Sequence, residues 1–368
     1  MKRIYFSGYA PVHFLSYEPV YSRFRAQSRF ELMLSGGFRL KHSDGKVTFK
    51  SEGFYDAFDV DPAHILSVDQ AREAHADVVV CAHLSDSLFP RSSGRSVQLY
   101  HGVSFKNYAV REKALSFDFL CLPGPYHARK YREKGLIRAN GPRVLMTGFA
   151  KVDALVNGSL DRDLLLKRHN LDPDLPTILY APTGDKNNSL ETIGEQVIGN
   201  LSAVKDWNLV IKPHDHPKRS INWFERLASF EAANVRIIRD LNVVPWLHAA
   251  DLLISDASSV ITEFTLLDRP IVLLNVPKLF KRVLARGGAL DLETYGHHLG
   301  PIVNDPDTIV EVVADQFGDS SAYQETRLSM ALDVFHKPGS AAERVMAVTQ
   351  YAADGDPSIL SDIEELTS

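Results

Sequence analysis

Short, near-continuous apolar runs rich in Val, Ile and Leu recur along the chain, and they limit its fold more than any other feature. Runs without polar alternation suit strands covered on both faces, as in parallel sheets flanked by helices. Five fall in the first half: Arg3–Phe6, Val78–Cys81, Val97–Tyr100, Phe119–Leu122 and Val144–Thr147. Five cleaner ones follow: Thr177–Tyr180, Asn208–Lys212, Val235–Ile238, Leu252–Ser255 and Ile271–Asn275. Between Phe149 and Pro176 the strand pattern stops, giving way to KVDALV, a charged helical piece DRDLLLKRHN and then LDPDLP. This region reads as the connection between two similar α/β domains, and 368 residues suit two domains of about 100–200 residues each. The expected boundaries are 1–155, 156–338 and a C-terminal segment 339–368, whose acidic tail from Ala352 onward is expected to fray.

Composition narrows the functional classes. Lys and Arg number 41 against 46 Asp and Glu, a net charge of −5, which argues against nucleic acid as the main partner. Two cysteines, Cys81 and Cys121, exclude a disulfide scaffold and a four-thiolate zinc site, and their apolar surroundings predict buried, reduced thiols. The apolar runs stop short of the roughly 18 residues of a membrane span. MKRIYFSGY reads as a first strand rather than a signal segment, so the expected location is the cytoplasm.

Ligands of open α/β sheets bind at the carboxyl ends of strands, so residues directly after strands are the candidates. His101-Gly102, leading to Lys106, places an imidazole at a sheet edge, where it can act as a general base. Thr183 and Gly184 offer a hydroxyl and an open backbone to a phosphate, although Pro, Gly and Asp are also ordinary turn residues. Lys212, His214 and His216 lie together after another strand. A metal reading lacks a matching ligand cluster elsewhere, and charge neutralisation of a phosphate is the alternative. Asp256, Ser258, Ser259 and Glu263 form a strand–turn–helix unit. Its helix start suits an anion, and its Glu suits ribose hydroxyls; simple N-capping by Asp256 or Ser258 is the plainer reading.

These loops, in this order, resemble the CDP-glycerol glycerophosphotransferases of teichoic-acid and capsule synthesis. The resemblance is carried by His101-Gly102-Val103, Thr147-Gly148 through Lys151 and Asp153, Tyr180–Thr183, Lys212-Pro213-His214, Asp256–Val260 and Gly339 through Glu343-Arg344. It departs from the family pattern at Val103 (Thr expected), Lys151 (Arg expected), Glu263-Phe264 (Asp-Tyr expected) and the inserted Asp215-His216. The resemblance implies a GT-B architecture: two Rossmann-like domains facing across a cleft, the donor nucleotide held by the second and the acceptor by the first. A helix around Ser340–Tyr351 is expected to return to the first domain.

The implied reaction moves glycerol phosphate from CDP-glycerol to a hydroxyl of a polymer or lipid-linked acceptor, without a metal or cofactor. His101 is expected to be the base and His214 the second catalytic residue. Thr183, Lys212, Ser258, Ser259 and Glu263 are expected on the donor, with Gly102, Lys106, Lys151, His216 and Asp256 supporting. Competing readings are a glycosyltransferase using a UDP- or CMP-sugar, a UDP-sugar 2-epimerase, and a non-enzymatic nucleotide-binding subunit. A basic stretch over 127–143 reads either as a solvated helix face or as a surface for an anionic polymer or the inner membrane face.

Overall fold

The computed structural model describes residues 1–85, 88–104, 109–214, 221–285 and 298–367. Met1–Gly102, Ala109–Asp153 and Asp333–Ser368 form one compact unit, and Ala154–Leu332 makes up nearly all of a second. The final helix and tail therefore belong with the N-terminal residues.

The first unit is built on an eight-stranded sheet. Its order is Glu364–Leu366, Arg143–Met146, Phe119–Leu122, Ser92–Gln98, His75–Cys81, Lys2–Gly8, Phe30–Gly36 and Ile65–Leu66. Every neighbouring pair is parallel except the first, which is antiparallel. The apolar runs lack alternation because both faces are covered. Ile4 and Phe6 pack with Phe14, Tyr17, Val20, Tyr21 and Phe24 of the helix Pro11–Arg25, and with Val345 and Val348 of the helix Ala341–Asp354. Tyr5 and Val79 face the other way, against Met33, Ala71 and Ala76. Each fully buried large apolar side chain stabilises by about 1.5–3 kcal/mol. Cys81 and Cys121 are buried free thiols, and burial pushes both up to about 12.

The tail does not fray. Leu360, Ile363 and Leu366 are anchored in the interior, and Glu364–Leu366 closes the sheet edge beside Arg143–Met146. Glu365 accepts from Arg143 Nε at 2.8 Å and Nη2 at 2.5 Å. Acidic composition suggested a solvated tail, but three spaced hydrophobes and one ion pair outweigh it.

The second unit carries six parallel strands in the order Val235–Ile237, Asn208–Ile211, Thr177–Tyr180, Leu252–Ser255, Ile271–Leu274 and Ile302–Val303. Strand order reverses between Lys2–Gly8 and His75–Cys81 in the first sheet, and between Thr177–Tyr180 and Leu252–Ser255 in the second. Such switch points open the crevices where α/β proteins hold ligands. Among the described residues, no helix is long and apolar enough to cross a membrane.

Candidate functional site

In the first unit, three adjacent strands each deliver a histidine just beyond their carboxyl ends. Lys2–Gly8 leads to His13 in the first turn of Pro11–Arg25, His75–Cys81 leads to His83, and Ser92–Gln98 leads to His101. The His13 ring centroid lies 5.2 Å from that of His83 and 5.0 Å from that of His101, and the Tyr9 ring packs against both His13 and His83.

The backbone fixes each tautomer. His101 Nδ1 lies 2.8 Å from the Ala82 carbonyl oxygen. That oxygen can only accept, so Nδ1 carries the proton and Nε2 is the basic atom. His13 Nδ1 accepts from the Tyr9 N–H at 3.2 Å, and His83 Nδ1 accepts from the Ser85 N–H at 3.2 Å. In their neutral forms both therefore carry the proton on Nε2.

His101 retains accessible surface, yet desolvation by the surrounding protein is the largest influence on its ring and lowers its pKa. The Ala82 carbonyl pulls the other way, and the Lys151 charge adds to the lowering. His13 is held well below the ordinary histidine value, first by desolvation and then by His101 and His83. His101 was expected from the sequence; His13 and His83 were not. The same rule, to inspect residues just past each strand, would have found both.

In the second unit the candidate loops again follow three adjacent strands: Thr177–Tyr180, Asn208–Ile211 and Leu252–Ser255. Asp256 ties two of them together across the switch point. Its Oδ1 accepts from the N–H groups of Thr183 at 2.8 Å and Ala257 at 2.6 Å. Its Oδ2 accepts from the Ser189 N–H at 2.8 Å and Ser189 Oγ at 2.9 Å. Asp256 thus shapes the loops from inside.

Gly184 lets the His214 ring lie close to the backbone: a Cβ there would meet the ring at 2.8 Å and displace it. Lys212 is buried and His214 exposed, directly past their strand. Ser258 occupies the N-cap of Ser259–Phe264, but its side chain makes no cap hydrogen bond and the first turn holds no acidic residue. N-capping by Asp256 or Ser258 is therefore not what these side chains do. Glu263 is 0% exposed, so a ribose contact requires its carboxylate to become accessible.

The Thr147–Asp153 and Gly339–Arg344 segments form one structural clasp. Asp153 accepts from the N–H groups of Gly339 and Ala341 at 3.0 Å and of Ala342 at 2.8 Å, which satisfies the start of Ala341–Asp354. Arg344 Nε donates to the Thr147 carbonyl at 2.7 Å, and its Nη2 to that of His336 at 3.1 Å. Gly148 sits at φ +84, where a Cβ would lie 2.6 Å from the His336 carbonyl oxygen. Lys151 is buried in the same segment, 7% exposed. Lys106 and His216 lie outside the described residues.

Two Rossmann-like units, with candidate side chains past three adjacent strands in each, are the α/β arrangement of the GT-B class. The wall teichoic acid polymerase TagF has a similar fold, with a TM-score of 0.69 at 18% identity over 96% of this chain and 89% of that chain. The family model for CDP-Glycerol:Poly(glycerophosphate) glycerophosphotransferase matches residues 70–349, and the chain belongs to that family. It is 30% identical over 166 residues to a teichoic acid glycerol-phosphate primase of Bacillus spizizenii, covering 44% of this chain and 41% of that protein. It is 26% identical over 214 residues to a teichoic acid poly(glycerol phosphate) polymerase of the same organism, covering 55% and 51%. The chain thus spans about half the length, or less, of these curated relatives.

Proposed function

We propose that this chain transfers glycerol phosphate from CDP-glycerol to an acceptor hydroxyl of a cell-surface polymer or its lipid-linked precursor, releasing CMP. Family membership supports the donor. The observation that carries the chemistry is the His101 Nδ1–Ala82 carbonyl bond, which makes Nε2 the basic atom. The acceptor oxygen attacks the glycerol-bearing phosphorus, and its proton passes to His101 Nε2. The bond from phosphorus to the bridging oxygen breaks, and CMP leaves with that electron pair. Lys212 and His214 neutralise the charge that develops on the phosphoryl oxygens and the departing CMP. Thr183, Ser258 and Ser259 hold the diphosphate, Asp256 sets their loops, and Glu263 takes the ribose. Gly102, Lys106, Lys151 and His216 support these groups. In this reading the unit containing His101 serves the acceptor and the unit containing Lys212 serves the donor.

Contact with an anionic membrane face through residues 127–143 is not part of this reading. Arg129 pairs with Asp333, Lys130 with Glu133, Arg138 with Glu112 and Arg143 with Glu365. These pairs offset much of the positive charge that the stretch would offer.

A thermal-shift series with CMP, CDP-glycerol, CDP-ribitol, UDP and UDP-N-acetylglucosamine tests the donor. CDP-glycerol at about 100 times its Kd is expected to stabilise the protein by about 2.7 kcal/mol. UDP-sugars are expected to leave the transition in place. A shift with UDP-sugars and none with cytidine nucleotides overturns the proposal and favours a glycosyltransferase.

A further inference from the structure

We propose that His13 is a positioning residue for the His101 base, its buried ring walling one side of an imidazole that is otherwise open to solvent. His13 is 3% exposed, sits at the switch point of the first sheet, and meets the His101 ring near edge-on, at 61° and 5.0 Å. It lies before the residues matched by the family model, so the match gives it no role. Its place is set by the helix that carries it: Pro11 stands at the helix start, and Phe14 and Tyr17 of the same helix are buried in the core.

His13 is not a proton relay. Its Nδ1 lone pair is occupied by the Tyr9 N–H, and Nε2 already carries the proton, so it has no site for the proton that His101 takes up. What it contributes is exclusion of water on one side, while the Ala82 carbonyl fixes the ring from Nδ1. Among the described residues, the groups set against His101 come from three elements. His13 comes from the helix Pro11–Arg25, the Ala82 carbonyl from the loop after His75–Cys81, and Lys151 from the turn Ala150–Leu155. Protonation of His101 is disfavoured by the removal of water and by the Lys151 charge. Opening the His13 side to solvent removes the first of these on that side.

The kinetic consequence rests on the transfer reading; the effect on His101 does not. The test is therefore run twice on the full chain. The His101 ring is titrated by NMR with labelled histidine, and kcat/KM for CDP-glycerol is measured at pH 6 and pH 8, for wild type, His13→Ala and His13→Phe. His13→Ala is expected to raise the His101 titration toward the ordinary imidazole value. Only about a quarter of an ordinary imidazole is neutral at pH 6, so the variant should work at pH 6 at about a quarter of its pH 8 rate. His13→Phe restores the wall without a titrating nitrogen, and is expected to leave both the His101 titration and the pH 6 to pH 8 ratio as in wild type.

A His101 titration unmoved by His13→Ala overturns the inference. So does one displaced by His13→Phe, which remains decisive if the Ala variant does not fold. Absence of turnover in the wild type, with the NMR displacement present, overturns the transfer reading and leaves the role of His13 standing.

Discussion

His101→Ala is expected to slow transfer by about 10²–10⁴-fold, the usual worth of a positioned general base, while CDP-glycerol still binds. The expectation follows from the tautomer. With Nδ1 donating to the Ala82 carbonyl, the ring offers a lone pair at Nε2 and is held below the ordinary imidazole pKa, so it is mainly neutral near pH 7. Alanine removes that lone pair and leaves the loops of the second unit untouched. Single-turnover kinetics read the chemical step, and calorimetry reads donor affinity. Lost affinity with an unchanged chemical step would make His101 a donor contact instead. The sign of the pH dependence follows as well. Activity should fall as pH drops through the lowered His101 value and should hold above it.

Asp256→Ala is expected to have the largest effect on stability, about 3–4 kcal/mol, together with loss of donor binding. The carboxylate is 5% exposed and accepts four hydrogen bonds. Removing it strands the Thr183, Ser189 and Ala257 donors in the interior. Hydrogen bonds to charged groups contribute about 1.5–3 kcal/mol each but do not add fully. At about 2–4 °C per kcal/mol for a unit of this size, the melting transition of the second unit should fall by roughly 6–16 °C. Asp256→Asn keeps one acceptor oxygen but turns an amide N–H₂ toward N–H donors, so it should recover only part of the loss. A melting transition within a degree or two of wild type in Asp256→Ala would show that the loops are held by other means.

The central strands and their loops were legible because covered parallel strands leave continuous apolar runs, and Thr177–Tyr180, Asn208–Ile211 and Leu252–Ser255 stand almost where those runs predict. The first sheet was harder to read. Ser92–Gln98 begins in SSGRS, which has no strand signal of its own, and pairs because the neighbouring His75–Cys81 strand offers a ladder. Phe30–Gly36, with its central Met33 and terminal Ser35-Gly36, and the two-residue Ile65–Leu66 likewise take their conformation from the sheet rather than from local preference. Glu364–Leu366 depends on Arg143, far away in sequence, which no local pattern reveals.

The candidate site divides in the same way. Single residues such as His101 and Lys212 announce themselves by chemistry and position. The cooperative features do not: the His13–His83–His101 cluster, and the reach of Asp153 to the start of Ala341–Asp354, exist only once distant segments are brought together. Motif resemblance also did not separate structural from chemical residues. The Thr147–Asp153 and Gly339–Arg344 segments clasp one another and hold the last helix, whereas His101 presents a lone pair.

The most direct test of the account is ³¹P NMR of the full chain with CDP-glycerol and a glycerol-phosphate-primed acceptor. The account predicts loss of the diphosphate signals, with CMP phosphomonoester and a new phosphodiester appearing one to one. CDP-glycerol that binds and remains unconsumed, or UDP released from a UDP-sugar with formation of a glycoside, would contradict it.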